Sequence, residues 1–147
     1  MRKEKEWVED CMEEDSQGRQ GAEEIQDKRV KTRAVERKKQ NTQYWLKAAE
    51  NLLDSDTPQA AMILGYFAAE SKVEQALAKQ NIKVNTHICA IKGLSRVLEK
   101  PDQAKQLQKA YQKRKEINYE TQLGENKEKP KQFIQDTIKP IIQSLEE

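Results

Sequence analysis

The sequence is poor in the residues that build membrane spans, β-sheets and cysteine-rich folds. Its 147 residues include two cysteines, one histidine, five glycines and four prolines, and aromatic side chains make up only 5%. No apolar stretch approaches the roughly 20 residues that a membrane-spanning helix needs. No run of four or more alternating β-branched residues occurs, so few segments of the sequence favour a β-strand. We therefore predict few strands and no membrane partner.

The two cysteines, Cys11 and Cys89, do not form a recognisable motif. They show no CxxC spacing and have no pair of histidines nearby, so the sequence predicts neither a metal site nor a cofactor. Residues 1–15 lack an apolar signal core, and secretion is therefore not expected. We predict a cytoplasmic protein in which both cysteines are free thiols, with Cys89 as a small buried residue.

Charged residues are abundant and unevenly placed. They make up 35% of the chain, yet the formal net charge is only +2, so basic character is local. Residues 1–15 carry seven acids against three bases, whereas residues 28–39 carry seven bases against one acid. The basic block could contact nucleic acid or an acidic partner. A solvated, partly helical extension is favoured, because no aromatic residue is interleaved to stack on bases.

The remaining composition predicts an all-α protein. Lys, Glu, Gln and Ala dominate, and apolar residues recur at helical spacing from residue 41 onward. Helices are predicted at about residues 42–54, 58–80, 87–99, 102–123 and 129–145. Short connections favour an antiparallel up-and-down bundle of about five helices over residues 41–147, preceded by a charged N-terminal extension over residues 1–40.

Several local features support these helix assignments. Asn41 or Thr42 can cap the first helix, and Thr86 can cap the third. The second helix is apolar almost all round, which predicts that it is the central and most buried one. Residues 81–85 are predicted to be a connection. Pro140 lies within the apolar pattern of the last helix and should kink or divide it.

The fourth helix carries polar residues on its apolar stripe. Leu107, Tyr111, Arg114 and Asn118 follow one another at spacings of four, three and four residues. Burying a guanidinium is costly unless it is paired or hydrogen-bonded. We therefore expect Arg114 either to line a groove that holds an anion, or to pair with an acid of the central helix or across a dimer interface. The candidate acids of the central helix are Glu70 and Glu74.

The order of these features resembles the HEPN domain family, in particular its small stand-alone prokaryotic branch. The likeness covers about residues 43–145. It consists of a helix rich in small and aromatic residues (AAMILGYFAAESKVEQAL), a loop with Thr86 and His87, and a helix ending in RKEINY. The most specific part is an Arg followed after three residues by Asn and Tyr, here Arg114, Asn118 and Tyr119.

The resemblance implies an antiparallel helical bundle that is usually a homodimer. Many HEPN domains are metal-independent ribonucleases that use an Arg and a His of one helix. Several are encoded with a minimal nucleotidyltransferase as toxin–antitoxin or defence pairs, and other members bind nucleotide, RNA or a partner protein. The family's His lies five to seven residues after the Arg, where this chain has Tyr119, Glu120 and Thr121. Tyr is a poorer base than His near neutral pH.

The candidate site residues therefore have two interpretations each. His87 is the only histidine and a candidate catalytic group, but packing against the loop at a helix start is favoured. Tyr119 could stack on a base or replace the missing His, or lie in the core with its hydroxyl at the rim. Asn118 could orient Arg114 or contact a base, or lie at a dimer interface. Glu70, the acid most expected to be buried, is a candidate ligand-binding residue or an ion-pair partner.

Three functions remain open at this point. The favoured one is an RNA- or nucleotide-binding and protein-interaction module that works with a nucleotidyltransferase, with Arg114, Asn118, Tyr119 and Glu70 as binding residues. The second is a metal-independent endoribonuclease that uses Arg114 with Tyr119 or with His87. The third is a purely structural helical dimer. The absent motif histidine leaves enzymatic activity open.

Overall fold

The computed structural model of the protein describes residue 11 and residues 20–119 and 128–146, with the side chains of residues 116–119 excepted. These residues form an all-α bundle with one very small sheet, as the sequence predicts. The elements, in chain order, are β1 (Ala22–Glu24), α1 (Lys28–Leu52), α2 (Ala60–Lys79), β2 (Ile82–Val84), α3 (His87–Arg96), α4 (Pro101–Tyr119), α5 (Glu128–Phe133), a π-helical turn (Ile134–Ile138) and α6 (Lys139–Ser144).

Helix α2 lies at the centre of the bundle, as its apolar sequence predicts. Eleven of its 20 residues are buried, and it contacts α1, α3, α4 and the C-terminal helical segments. Gly65 lies at one of these contacts, where a Cβ would overlap the terminal methyl group of Ile134 and force that side chain to move. Close packing of this kind makes the interior sensitive to the size of each side chain.

Helix α1 begins much earlier than the predicted first helix. It starts at Lys28, where the side chain of Asp27 accepts a hydrogen bond of 2.7 Å from the backbone N–H of Arg29. Thr42, a predicted cap, lies inside the helix and donates through Oγ1 to the carbonyl of Lys38 instead. The prediction of a start at 41 or 42 is therefore wrong, because the basic block is itself helical. The division into an extension and a bundle stays a prediction.

Helix α3 confirms its predicted cap and corrects its predicted inner face. Thr86 Oγ1 accepts a hydrogen bond of 3.1 Å from the backbone N–H of Cys89. The spacing of Ile88, Ile91 and Leu94 predicts that they share the inner face; Ile91 and Leu94 are buried, but Ile88 is 60% exposed. Cys89 and Ala90 take its place in the core, because the helix is rotated slightly from the stripe that the sequence suggests.

The predicted connection at residues 81–85 contains strand β2. It pairs with β1 in antiparallel register, with Ala22 opposite Val84 and Glu24 opposite Ile82. Ala22, Ile82 and Val84 are buried, so the inner face of this two-stranded sheet joins the core. A three-residue strand is too short to give a periodic signal, which is why the sequence pattern missed it.

Cys11 and Cys89 form a disulfide, so the prediction of two free thiols is wrong. Their Cα atoms lie 6.0 Å apart although 78 residues separate them in the sequence. Gly21 packs directly against this bridge, since a Cβ there would lie 2.5 Å from Cys89 Sγ. Nothing in the spacing of the two cysteines indicated the pairing. Disulfides persist mainly in oxidising compartments, and the predicted cytoplasmic location stays a prediction.

The C-terminal helix is interrupted just before Pro140, as predicted. The backbone N–H of Lys139 donates to the carbonyl of Ile134, five residues earlier, which defines the π-helical turn. Proline has no N–H to donate and disturbs the preceding turn. The turn still buries Ile134 and Ile138 against the bundle. Across the described ranges, no helix combines the length and the apolar character needed to cross a membrane.

Candidate functional site

Arg114 projects from the inner stripe of α4 onto aromatic rings. Leu107 and Ala110, earlier on the same helix, are fully buried. The Arg114 Cζ atom lies 5.1 Å from the ring centroid of Phe67, 5.7 Å from that of Tyr66 and 6.0 Å from that of Tyr111. A guanidinium this close to ring faces gains a favourable cation–π attraction. The rings therefore hold the cation at the edge of the core.

No acid in the described part of the chain pairs with Arg114. Its Nε atom is buried there without a hydrogen-bond partner. Glu70 contacts His87 Nδ1 and accepts a hydrogen bond from Tyr66, while Glu74 pairs with Lys38 at 2.8 Å. Both candidate acids are thus engaged by other groups. A buried guanidinium nitrogen without a partner is unfavourable, so Arg114 has an unmet hydrogen-bonding requirement within the described residues.

His87 lies at the edge of the core, where it contacts side chains of α2 and α4. Its Nδ1 atom contacts Glu70 Oε2 and lies 3.2 Å from the hydroxyl oxygen of Tyr66. Its ring centroid lies 5.0 Å from that of Tyr111. The Thr86 cap fixes the start of α3 directly before it. These contacts fix the orientation of the ring, and they differ from the loop packing favoured by the sequence.

Tyr66 lies between Arg114 and His87 and contacts both. It is fully buried, and its hydroxyl donates a hydrogen bond of 2.6 Å to Glu70 Oε2. Burial and the negative charge of Glu70 raise the pKa of Tyr66 well above its ordinary value, while the charge of Arg114 opposes this effect. The phenol therefore stays protonated at neutral pH and continues to donate to the carboxylate.

Glu74 lies one turn beyond Glu70 on α2 and is also largely buried. Burial raises its pKa above the ordinary value, and the ion pair with Lys38 opposes that shift. Lys38 belongs to the basic block over residues 28–39. Helix α1, which carries this block, therefore packs directly beside Glu74. The sequence did not indicate this proximity, because 36 positions separate the two residues of the pair in the chain.

The imidazole and the guanidinium share the same two tyrosine rings as neighbours. His87 lies 5.7 Å from Tyr66 and 5.0 Å from Tyr111 between ring centroids, and Arg114 lies at comparable distances from both. The side-chain group of His87 is 34% exposed. The fold thus brings together the predicted residues Arg114, His87 and Glu70. We call these three, with Tyr66 and Tyr111, the Arg114 cluster.

A series of aromatic residues leads from the Arg114 cluster to the surface of α1. Phe67, under the guanidinium, lies 5.5 Å from Trp45, and Trp45 lies 5.0 Å from Tyr44 between ring centroids. Tyr44 is 66% exposed. Tyr44 was not among the residues predicted from the sequence. The available signal was its position beside Trp45, since adjacent residues of a helix point in different directions, and an aromatic residue next to an inward-facing one therefore turns toward solvent.

Two predicted site residues cannot be placed in this geometry. Asn118 and Tyr119 belong to α4, but their side chains lie outside the described residues. Within the described ranges, no group of three or more His, Cys, Asp or Glu side chains could hold a metal ion. The chemistry available in the described cluster is therefore cation-based binding of an anion and proton transfer at one imidazole.

Comparisons with known proteins identify no relative. No protein-family model, no curated protein and no solved structure matches this chain. The likeness to HEPN domains accordingly rests on the sequence features alone.

Proposed function

We propose that this protein is a HEPN-like RNA-binding module that holds an RNA phosphate at Arg114. The observation that carries the proposal is the position of the guanidinium, which rests on three aromatic rings with a buried Nε that lacks a partner in the described chain. An arginine forms strong, charge-assisted hydrogen bonds to phosphate oxygens. Neither Glu70 nor Glu74 competes for it, because each already has another partner.

Two further features favour RNA over a small anion. Exposed Tyr44 is linked to Phe67 through Trp45 and offers a ring on which an unpaired base can stack. The same helix, α1, carries the basic block over residues 28–39, where most side chains are exposed. A line of cations followed by an exposed aromatic ring is the arrangement used to bind single-stranded nucleic acid.

The test is the affinity of the protein for a fluorescein-labelled single-stranded RNA, measured by anisotropy at fixed ionic strength. Arg114→Ala should weaken binding at least tenfold, since a charge-assisted hydrogen bond contributes about 1.5–3 kcal/mol. Arg114→Lys should restore only part of the affinity, because an ammonium lacks the planar fork. Tyr44→Ala should also weaken binding several-fold.

A matched control removes one positive charge from the same helix. Lys109 is exposed on α4, outside the Arg114 cluster, and Lys109→Ala should change the affinity less than twofold. If Lys109→Ala and Arg114→Ala lost equal affinity for RNA, the loss in Arg114→Ala would reflect only the general electrostatic attraction between the protein and RNA. Unchanged affinity in Arg114→Ala, with the helical circular dichroism intact, would refute the proposal.

A second candidate function, endoribonuclease activity, is favoured by the position of His87. Glu70 engages Nδ1 and thereby orients the ring, which leaves Nε2 to remove the proton from an RNA 2′-hydroxyl. The 2′-oxygen would attack the adjacent phosphorus while the bond to the 5′-oxygen breaks, giving a 2′,3′-cyclic phosphate and a 5′-hydroxyl that takes up a proton. Arg114 would stabilise the charge that develops on the phosphorus centre.

The cleavage assay is performed in EDTA, which disables contaminating nucleases that depend on a metal ion, and the variants control for the metal-independent ones. Cleavage by the parent protein that disappears in both His87→Ala and Arg114→Ala would establish the enzyme. Cleavage lost only in Arg114→Ala would point to Tyr119 instead of His87 as the proton acceptor. Absence of cleavage by the parent protein, with RNA binding retained, would leave the binding module as the function.

The resemblance also supplies a proposal for partners. We propose that the module is a homodimer and works with a nucleotidyltransferase in a toxin–antitoxin or defence pair. Light scattering after size-exclusion chromatography measures the dimer. A reading frame for a nucleotidyltransferase next to this gene, followed by co-purification of the two proteins, would support the pair. A monomer that binds RNA with full affinity would contradict the dimer.

A further inference from the structure

The residues around the disulfide pack closely at the start of α3. Cys89 is the third residue of that helix, and its backbone N–H donates to Oγ1 of Thr86, the cap. Gly21 packs against both residues, since a Cβ there would lie 2.5 Å from Cys89 Sγ and 3.4 Å from Thr86 Oγ1. The carbonyl oxygen of Cys11 would lie 3.2 Å from the same Cβ. The disulfide, the cap and the residue before β1 therefore form one packed unit.

His87 belongs to the same turn of α3, two residues before Cys89. Its Nδ1 atom contacts Glu70 Oε2. The N–H of Ala90 donates to the carbonyl of Thr86 at 3.1 Å, which closes this turn. Residues within one helical turn move together, because backbone hydrogen bonds fix their relative positions. A displacement of Cys89 is therefore passed on to His87 and to its contact with Glu70.

Reduction of the disulfide forces such a displacement. Two thiols cannot approach each other as closely as two bonded sulfur atoms, so the two sulfurs must separate. Little space is available for this, since Gly21 lies against Cys89 Sγ and the two cysteines are only 4% and 7% exposed. A closely packed interior shifts under such a change because it is hardly compressible. Either the chain at Cys11 or the first turn of α3 has to move.

A reductant can reach the disulfide through a local opening of the folded protein. The sheet beside it has two strands of only three residues each. A two-stranded sheet of this size is marginally stable, so it opens at a lower free energy than the helical core. Thr86, next to the disulfide, is already exposed. Access to the sulfur atoms therefore does not require global unfolding.

The start of α3 also favours Cys89 as the sulfur that leaves. The N-terminal end of a helix carries a partial positive charge, which stabilises a negative sulfur in the first turn. A thiolate that is stabilised in this way leaves faster in thiol–disulfide exchange. Attack on Cys11 Sγ is therefore the favoured route of reduction.

We propose that the Cys11–Cys89 disulfide is a reversible redox switch that controls the position of His87. In the disulfide form, the first turn of α3 holds His87 against Glu70. In the dithiol form, this turn shifts and the contact between the imidazole and the carboxylate loosens. The switch goes beyond the proposed RNA binding and does not depend on it, because it concerns the position of one side chain.

The chemistry is an exchange with a dithiol reductant. One thiolate of the reductant attacks Cys11 Sγ, the S–S bond breaks, and Cys89 leaves as a thiolate that takes up a proton. The second thiol of the reductant then displaces Cys11 from the mixed disulfide. Cys11 also takes up a proton, so the protein gains two thiols while the reductant becomes a disulfide.

The first measurement is reduction of the full chain by dithiothreitol without denaturant. A gel-shift assay with a maleimide-linked polymer should detect no free thiol before the reaction and two free thiols after it. The helical circular dichroism should be retained in the dithiol form. Oxidised glutathione, added after dithiothreitol is removed, should restore the disulfide.

His87 reports its own position, because it is the only histidine of the chain. Its imidazole gives one carbon–proton NMR signal, which should move by more than its linewidth on reduction and return on reoxidation. Diethyl pyrocarbonate should modify the ring several-fold faster in the dithiol form. The reason is that the ring, of a side chain 34% exposed in the disulfide form, is freed from Glu70.

Two variants serve as controls. Cys11→Ala has no disulfide, so its imidazole signal should lie near that of the reduced parent protein and should not respond to dithiothreitol. Ile88→Ala alters an exposed side chain in the same turn and keeps both cysteines. It should show the same change on reduction as the parent protein.

Four results would overturn the proposal. The first is a disulfide that resists dithiothreitol until denaturant is added, which would make it a purely structural bond. The second is loss of the helical signal on reduction, because the bond would then support the whole fold. The third is a dithiol form that oxidised glutathione does not close. The fourth is an imidazole signal that stays in place although both thiols are free.

Discussion

Individual residues of the Arg114 cluster owe their properties to neighbours from other helices. Glu70 and Glu74 were the predicted partners of Arg114, yet His87 and Tyr66 contact Glu70, and Lys38 pairs with Glu74. The guanidinium is left with aromatic rings around it. The observed contacts thus leave Arg114 without a carboxylate partner among the described residues.

The buried phenol of Tyr66 should make the protein less stable at alkaline pH. In the unfolded chain a tyrosine loses its proton near pH 10, whereas the raised pKa keeps Tyr66 protonated in the folded state. Above pH 10 the unfolded state therefore binds fewer protons, and the free energy of unfolding should fall by up to about 1.4 kcal/mol per pH unit from this group.

Urea unfolding between pH 8 and pH 11.5 measures this slope, and Tyr66→Phe is the comparison. The variant loses the hydrogen bond to Glu70 at every pH, so its stability is lower overall, but its decline above pH 10 should be shallower than that of the parent. Parallel declines in the two proteins would show that Tyr66 titrates in the folded state like an exposed tyrosine.

The elements differ in how their ends are fixed. Both α1 and α3 start at a side-chain cap, Asp27 and Thr86 respectively. Helix α2 starts without one, because the backbone turns at Thr57 and Pro58 already satisfy the N–H groups of Ala60 and Ala61. The cap of α3 directly precedes His87, a residue of the Arg114 cluster.

Removing the α3 cap should destabilise the protein by a measurable amount. Thr86→Ala removes the hydroxyl that accepts from the backbone N–H of Cys89, and such a loss costs about 1 kcal/mol. Thr86→Ser keeps a capping hydroxyl and should lose less than half as much. Urea unfolding monitored by circular dichroism gives both values, and equal losses in the two variants would argue against the cap.

At the scale of the whole molecule, one covalent bond joins distant parts of the chain. The Cys11–Cys89 disulfide connects a residue upstream of β1 to α3. The small sheet adds a second, noncovalent link between the same regions, through the pairing of β1 with β2. Cys11 and strand β1 are thus both attached beside the helix that carries His87.

Breaking the disulfide should lower the free energy of unfolding by about 3–5 kcal/mol, because the bridge restricts the unfolded chain over a long loop. Urea unfolding with and without dithiothreitol measures the difference. Cys11→Ala should show the reduced stability at once and no further change with reductant. A thiol assay in denaturant should detect no free thiol before reduction and two free thiols after it. Two free thiols in the protein as purified would contradict the disulfide.

Several features were predictable because they depend on local sequence. The apolar composition of α2 predicted its central position, Thr86 predicted the start of α3, and Pro140 predicted the interruption of the last helix. The start of α1 was not predicted, because apolar spacing weakens in the basic block, where charged residues cover most of the surface. Ile88 is exposed although it follows the apolar spacing of its helix. Apolar spacing therefore does not fix which residues at the edge of a helix face are buried.

By itself, the sequence determined that the chain forms helices, which of them lies at the centre, and that Arg114 faces inward on its own helix. These follow from spacing and composition within one element. Only the tertiary structure decided which side chains surround Arg114, that His87 contacts Glu70 and Tyr66, and that Cys11 bonds to Cys89. These are contacts between residues far apart in the chain, and local periodicity carries no information about them.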